Sequence, residues 1–523
     1  MREVPASETP PLTEGPQVVE THMSWVFMAG DRAYKLPKPV SLPFLDHSES
    51  AARIAAAERE VVLNARIAPD VYLGLADVHE RGALVDKMIV MRRLPAERRL
   101  SQLAGSPEFD GCLREVARVV ASFHAAEEPV INPRAAGADA LGENWADNFA
   151  VTDALVDAGV DAVDLDRVKT LTQTYLRGRR PLFDERIADG FVRDGHGDLI
   201  ADDVFCLVDD GPQIIDCLAF NDDWRIGDVL LDIAFLVMDV HRVAGPAAAL
   251  RLLGWYQGFS GECHPSSLAH HYVAYRAHVR AKVACLRWQQ GDAPSAALAK
   301  EYHDLALHHL EHGRVRLVLV GGGPGTGKTV LSNGLGDSLG WAVLHTDDIR
   351  RGVAASAGEE VGAAAPGEGI YDDAHRDAVY DELIRQARIL LSGGESVVLD
   401  ASWTGAHHRR LGTDLAEETY AELVEIECRL DPSVAGRRAL LLPERRAGLQ
   451  VVHHEPACLE RLAAMRARHG DQNDRFGRRQ DADAVDHQHP ADVETRARLV
   501  DDRLERLLGH ARVVLELERR DRI

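Results

Sequence analysis

From residue 18 to about 94 the chain alternates short apolar runs with polar breaks: VVET, WVFM, AYKL, VYLGL and ALVDKMIVM, around one helical stretch at 49–67. Apolar runs of this length between turn-prone residues predict strands, so the segment reads as a small β-rich lobe. From Gly111 the period becomes helical, and in CLREVARVVASFH the residues Leu113, Val116, Ala117, Val120 and His124 fall on one face. Short strands are predicted at 205–208 and 213–215, with helices again to about residue 311. At His312 the pattern turns to strand, Gly-rich turn, helix, strand, the order of a parallel α/β sheet. Strands are expected at 315–320, 341–345, 396–400, 423–430 and 484–486. A domain boundary at 312 follows, and no internal repeat is visible.

Length and charge narrow the classes that fit. A chain of 523 residues exceeds one ordinary core, and no apolar stretch approaches the roughly 18 residues needed to cross a bilayer. Residues 1–17 are polar and Pro-rich without the apolar core of a secretion signal, and are expected to be a disordered tail of a cytoplasmic protein that meets no membrane. Seven cysteines stand singly, without metal or disulfide spacing. The formal net charge of −23 opposes a polyanion, so small-molecule substrates are the expected partners rather than nucleic acid. A small phosphorylated ligand remains compatible, because a nest of backbone N–H groups holds phosphate inside an acidic protein.

Residues 322–329 read GGPGTGKT, a G-x-x-x-x-G-K-[ST] motif between an apolar strand and a helix with Leu331, Leu335 and Leu339 in step. In the loop Gly322, Gly323, Pro324, Gly325, Thr326 and Gly327 the glycines let the backbone wrap a β-phosphate so that N–H groups and the helix N-terminus point at it, Lys328 reaches the β- and γ-phosphates, and Thr329 offers a hydroxyl to Mg²⁺. HTDDIRR puts Asp347, Asp348 and Arg350 at the carboxyl end of the next strand, where open α/β sheets bind ligands. A carboxylate there can take a proton from a substrate hydroxyl; the alternative is a helix cap with first-turn acids. Asp400 ends the third strand and can hold Mg²⁺ directly or through water.

The TDDIRR and DAS boxes at 346–351 and 400–402 resemble the small P-loop kinases of the gluconate and shikimate kinase type over about 315–510. The resemblance implies ATP-dependent phosphorylation of a small hydroxylated molecule, with Asp347 as proton acceptor and Arg350 and Arg409 as substrate contacts. The lid at 436–456 lacks the Ser-Asp-Ala box of that group. Arg437, Arg438, Arg445 and Arg446 either supply lid charges or form a solvated face.

In the first half, VRDGHGDLIADDVFCLVDDGPQIIDC places His196, Gly197 and Asp198 in a loop, Asp203 five residues later and Asp216 after an apolar strand. A kinase catalytic loop needs one carboxylate for the substrate proton and two oxygen ligands for metal. The segment resembles the aminoglycoside phosphotransferase and choline kinase group, whose loop is H-G-D-x-x-x-x-N. The resemblance implies Asp198 as catalytic acceptor and Asp203 and Asp216 as metal ligands, with Asp203 departing from the Asn of the pattern. It further implies Lys35 as the phosphate-binding lysine with Glu60 as ion-pair partner, Lys38 and Glu58 being rival assignments, and MRRLP (91–95) as the adenine hinge. Arg276 and Arg280, four apart on one helical face, are read as a surface ion-pair pattern or as contacts to an anionic substrate.

The chain is therefore expected to be an α+β, protein-kinase-like bilobal domain at 18–311 (small lobe 18–94, large lobe 95–311), followed by an α/β P-loop domain at 312–523 with a mostly parallel sheet. The function read from it is a bifunctional kinase using ATP and Mg²⁺ at two sites. One alternative makes one module a pseudokinase or nucleotide sensor regulating the other. Another is nucleotide-sugar or polynucleotide kinase activity of the P-loop domain, which would want a basic groove.

Overall fold

The computed structural model describes residues 17–21, 23–42, 45–130, 136–150, 152–356, 373–429 and 513–516. The described chain divides into two compact units. The first comprises Met1–Leu165, Phe183–Glu262 and Tyr272–His309; the second comprises Asp166–Leu182, Cys263–His271 and Leu310–Ile523.

The first unit opens with a five-stranded antiparallel sheet in the order Gln17–Glu20, Ser24–Ala29, Arg32–Pro37, Ala83–Arg92, Tyr72–Glu80. Its long hairpin turns through Arg81 and Gly82 at φ 51° and 87°, the two positive values that a two-residue type I′ turn requires. The helix Ser50–Asn64 lays Ala57 and Val61 on the sheet, where they join Ala33, Val71, Ile89 and Met91 in one core. All five residues of the apolar face read from 113 to 124 are buried on the helix Phe109–Ala126. The helix Val229–Ala244 is buried almost all round, yet carries two buried acids, Asp232 and Asp239, two turns apart. The predicted 205–208 and 213–215 segments form the antiparallel pair Val204–Leu207 and Gly211–Ile214.

The second unit holds a five-stranded sheet with every pairing parallel, in the order Ala342–His345, Val397–Asp400, Arg316–Gly322, Glu422–Arg429, Val513–Glu516. The central strand's Leu317, Val318, Leu319 and Val320 are buried, as a strand covered on both faces must be. Four of these strands coincide with the sequence reading. The edge strand Val513–Glu516 was not anticipated, and the strand expected at 484–486 lies outside the described residues. Four residues, VVLE, carry no periodicity that separates strand from helix, and here pairing with Ile426–Arg429 decides it. No helix among the described residues is long and apolar enough to cross a membrane.

Candidate active sites

The His196–Asp198 loop leaves the strand Val192–Asp194, which pairs antiparallel with Ile226–Asp228. The backbone N–H groups of His196 and Gly197 donate to the two carboxylate oxygens of Asp232 at 2.7 and 2.8 Å. Asp232 in turn meets His124 Nε2 at 3.0 Å, and His124 Nδ1 meets the Tyr256 hydroxyl at 2.8 Å. Desolvation opposes the Asp232 charge, but the His124 bond and the two N–H donors prevail and hold its carboxyl well below the usual range. A second acid of the same helix, Asp239, accepts from the Ala201 N–H at 2.9 Å. Sequence reasoning missed Asp232, Asp239 and Tyr256. The available signal was a pair of acids seven residues apart in an otherwise apolar helix, together with a histidine on an apolar face.

Asp198 is half-buried beyond this clamp. Desolvation raises its pKa, against the pull of Arg280 and His196. Arg276 does not belong to a surface ion-pair pattern: it is buried, lies over the Phe235 ring, and donates to the carbonyls of Leu231 and Gly197 at 3.1 and 3.4 Å. The helical spacing was right, but that helix face packs inward and the guanidinium props the loop backbone.

Lys35, on the strand Arg32–Pro37, reaches Glu60 of the helix Ser50–Asn64 at 2.8 Å and Asp216 at 2.5 Å. Desolvation works against its charge, yet Asp216 and Glu60 overcome it, and Lys35 titrates well above the ordinary lysine range. The rival pair is engaged elsewhere: Lys38 meets Glu20 at 2.6 Å, and Glu58 meets Lys87 at 2.7 Å. Asp216 sits at φ 67°, a conformation costly for a non-glycine residue. Its N–H donates to the Tyr72 oxygen at 3.1 Å and the next N–H, of Cys217, to Asn64 Oδ1 at 2.9 Å, which holds the turn in place.

Asp203 ends a short 3-10 turn, Ala201–Asp203. Desolvation, then the charges of Asp216 and Asp198, push its carboxyl well above the usual range. Among the described residues no cluster of three or more His, Cys, Asp or Glu forms a metal site by itself. Mg²⁺ usually takes only one or two carboxylates and completes its shell with water and phosphate oxygens, so the Asp203 and Asp216 oxygens fit that cation as partial ligands.

In the second unit the strand Arg316–Gly322 runs into the glycine loop and the helix Lys328–Leu339. Gly322 takes φ 139°, and a Cβ there would come within 2.4 Å of the Cys428 carbonyl oxygen, so only glycine fits. Lys328 Nζ folds back onto the Gly323 carbonyl at 3.0 Å, and Thr326 Oγ1 donates to the same oxygen at 2.8 Å. Thr329 Oγ1 donates to Asp400 Oδ2 at 2.7 Å, bringing together the hydroxyl and the acid expected at Mg²⁺. His345 Nδ1 meets the same Asp400 oxygen at 2.9 Å, and Nε2 meets Asn333 Oδ1 at 3.0 Å. The Asp400 bond raises the His345 pKa. Neither His345 nor Asn333 was singled out from sequence, although His345 directly precedes the TDD box.

Asp347 and Asp348 stand in the first turn of the helix Thr346–Ser356, exposed, and Asp347 pairs with Arg350 at 2.9 Å. Arg409 donates to the carbonyls of Trp403 and Thr404 at 2.6 and 3.0 Å. It lines a cavity of about 300 Å³ shared with Gly322, Gly323, Ser402 and Glu427, directly beside the phosphate loop. Arg437, Arg438, Arg445 and Arg446 lie outside the described residues.

Two family models match the chain: one described as "Phosphotransferase enzyme family" over residues 38–266, and one described as "AAA domain" over 317–471. The chain is 38% identical over 471 residues to "Uncharacterized protein Rv2004c" of Mycobacterium tuberculosis, covering 88% of this chain and 92% of that one. It matches "Uncharacterized protein Mb2027c" of Mycobacterium bovis to the same extent. Solved structures with similarity include a choline/ethanolamine kinase family protein from Mesorhizobium loti (15% identity, 58% of this chain and 94% of that one, TM-score 0.35). Another is the Mycobacterium tuberculosis APS kinase CysC in complex with AMPPNP and APS (21% identity, 37% of this chain and 98% of that one, TM-score 0.22).

Proposed function

The chain belongs to the family of these mycobacterial proteins and carries a phosphotransferase-family domain ahead of a P-loop kinase-like domain, and we propose that it is a kinase with two ATP sites that phosphorylates small hydroxylated molecules in the cytoplasm. The observation that carries this reading is the convergence of Lys35, Glu60 and Asp216 on one side of the first site, with Asp198 and Asp203 within electrostatic reach of Asp216.

In the first site Lys35 is held by Glu60 to face the phosphates. Asp198 accepts the proton of the attacking hydroxyl, its raised pKa placing it closer to the working pH of a general base. Asp232 keeps the loop backbone in position so that Asp198 need not reorganise during the reaction. In the second site the loop N–H groups and Lys328 bind the phosphates, Thr329 and Asp400 are the oxygen ligands for metal, and Asp347 is the proton acceptor, with Arg350 and Arg409 orienting substrate. Mg²⁺ bound with ATP would neutralise phosphate charge at both sites. The net charge of −23 supports small-molecule rather than nucleic-acid substrates.

One observation favours a second reading, in which the first unit senses nucleotide instead of transferring phosphate. Asp203 adds a third carboxyl group to a site already holding Asp198 and Asp216. The separating experiment is phosphorylation of a metabolite library by the intact protein, by Asp198→Asn and by Lys328→Ala. Products lost with each substitution in turn support two active kinases. A product set untouched by Asp198→Asn assigns the first unit to sensing.

A further inference from the structure

The second unit contains a cavity of about 530 Å³ whose lining residues all come from Asp166–Leu182, Cys263–His271 and the chain from Leu310 onward. It lies at the opposite end of the parallel strands from the phosphate loop. Arg314 and Val315 precede the strand Arg316–Gly322, and Glu422 and Leu423 begin its neighbour, whereas the loop starts where Gly322 pairs with Cys428. Six residue steps of strand separate the two ends, about 20 Å.

The lining combines an apolar wall with one unmatched cation. Leu171, Leu310, Val315 and Leu423 face the cavity, and Tyr175 stacks on His271 with ring centroids 4.4 Å apart and planes 13° from parallel. Arg179 also lines it and is 1% exposed. One of its terminal nitrogens, Nη2, donates to the Thr419 carbonyl; Nε and Nη1 are buried without a hydrogen-bond partner among the described residues. Burial draws its pKa down to about 10, so it remains charged at neutral pH, with no carboxylate among the described residues offsetting the desolvation.

The other cations of the lining are already matched. Arg167 meets Glu311 at 2.6 Å and Arg314 meets Glu422 at 3.1 Å. Glu417, the remaining carboxylate of the lining, is exposed. Elsewhere in the chain a comparably buried guanidinium is fully countered: Arg186 meets Asp228 and Glu262, each at 2.5 Å. A buried guanidinium with free N–H groups in a roomy, mostly apolar cavity has the form of an anion anchor rather than of a structural ion pair.

We propose that this cavity is a binding site, separate from the phosphate loop, for a small organic anion: a carboxylate or phosphate monoester on an apolar body, with its anionic group on Arg179 and the body against Leu171, Tyr175 and Leu423. A flat ring suits the Tyr175–His271 stack, and a volume of this size accepts a ligand of metabolite dimensions.

The test is calorimetric titration of the full-length protein with benzoate, phenyl phosphate and the neutral analogue benzyl alcohol. At least one anion is expected to bind saturably and tenfold or more tighter than benzyl alcohol, and the arm that binds names carboxylate or phosphate. Arg179→Met is expected to weaken that anion tenfold or more while leaving benzyl alcohol unchanged, with an apo Tm equal to or above wild type, because an unpaired buried charge has been removed. Leu171→Trp, which keeps Arg179 and fills the space, is expected to weaken all three ligands. Three outcomes overturn the proposal: no saturable binding of either anion to wild type up to ~10 mM, an unaltered anion affinity in Arg179→Met, or an unaltered affinity in folded Leu171→Trp. A lowered Tm with undiminished anion binding in Arg179→Met would make Arg179 a structural clamp on Thr419.

Discussion

The carboxylate of Asp232 accepts the backbone N–H of His196 at 2.7 Å, and this bond fixes the entry to the loop that presents Asp198. Removing the acid leaves two buried N–H donors and His124 without their acceptor. Asp232→Ala is therefore expected to destabilise the first unit by about 3–5 kcal/mol, as loss of one member of a buried charged network does. Chemical denaturation followed by a signal from that unit measures it. The sign with pH follows from the lowered folded-state pKa. The contribution of Asp232 is fully present above the unfolded carboxylate value of about 3.9 and is lost as pH falls below it. Asp232→Asn should flatten the acid limb of the stability profile relative to wild type, and an unchanged limb would count against the network.

Asp203 shows the opposite shift. Because its folded-state pKa is raised, its ionisation costs stability from the unfolded value of about 4 upward, and the full cost is reached only above the raised folded value. Asp203→Asn is expected to stabilise the metal-free protein at neutral pH and to lower the Mg²⁺ concentration at half-maximal ATP binding. Superimposable Mg²⁺ titrations for wild type, Asp203→Asn and Asp203→Ala would remove Asp203 from the metal.

Asp198→Asn should lower turnover in the first site by about 10²–10⁴-fold, the usual contribution of a positioned base, while ATP affinity stays within a few fold. A proton acceptor acts mainly in the transition state, so binding and turnover should separate. Equal turnover of mutant and wild type on a verified substrate would exclude Asp198 from that role.

Lys328→Ala should weaken nucleotide at the phosphate loop by about 30-fold or more, the factor that about 2 kcal/mol represents. Titration calorimetry of the full chain should then show one ATP-binding event where wild type shows two. Two undisturbed events in the mutant would sink the assignment.

The phosphate loop and the His196–Asp198 loop were legible in the sequence because their chemistry is local. Phosphate is held by successive backbone N–H groups, so GGPGTGKT is contiguous, and kinase carboxylates sit at short, fixed separations. The apolar strands of both sheets were legible for the same reason, since burial on a sheet face writes itself into neighbouring positions. What supports the sites was not local. His124 and Asp232 are 108 residues apart, and only the packing of their helices brings ring to carboxylate.

The choice between Lys35 and Lys38 was likewise tertiary. Lys35 pairs in register with Val26 and Ile89 and meets Glu60, whereas Lys38, one residue past the strand's end, donates to Glu20 and the Thr21 carbonyl. Arg179 was not singled out from the sequence. Only the folded chain shows that its guanidinium is enclosed with two nitrogens unpaired among the described residues, because burial and partner count belong to the assembled surroundings and not to the residue.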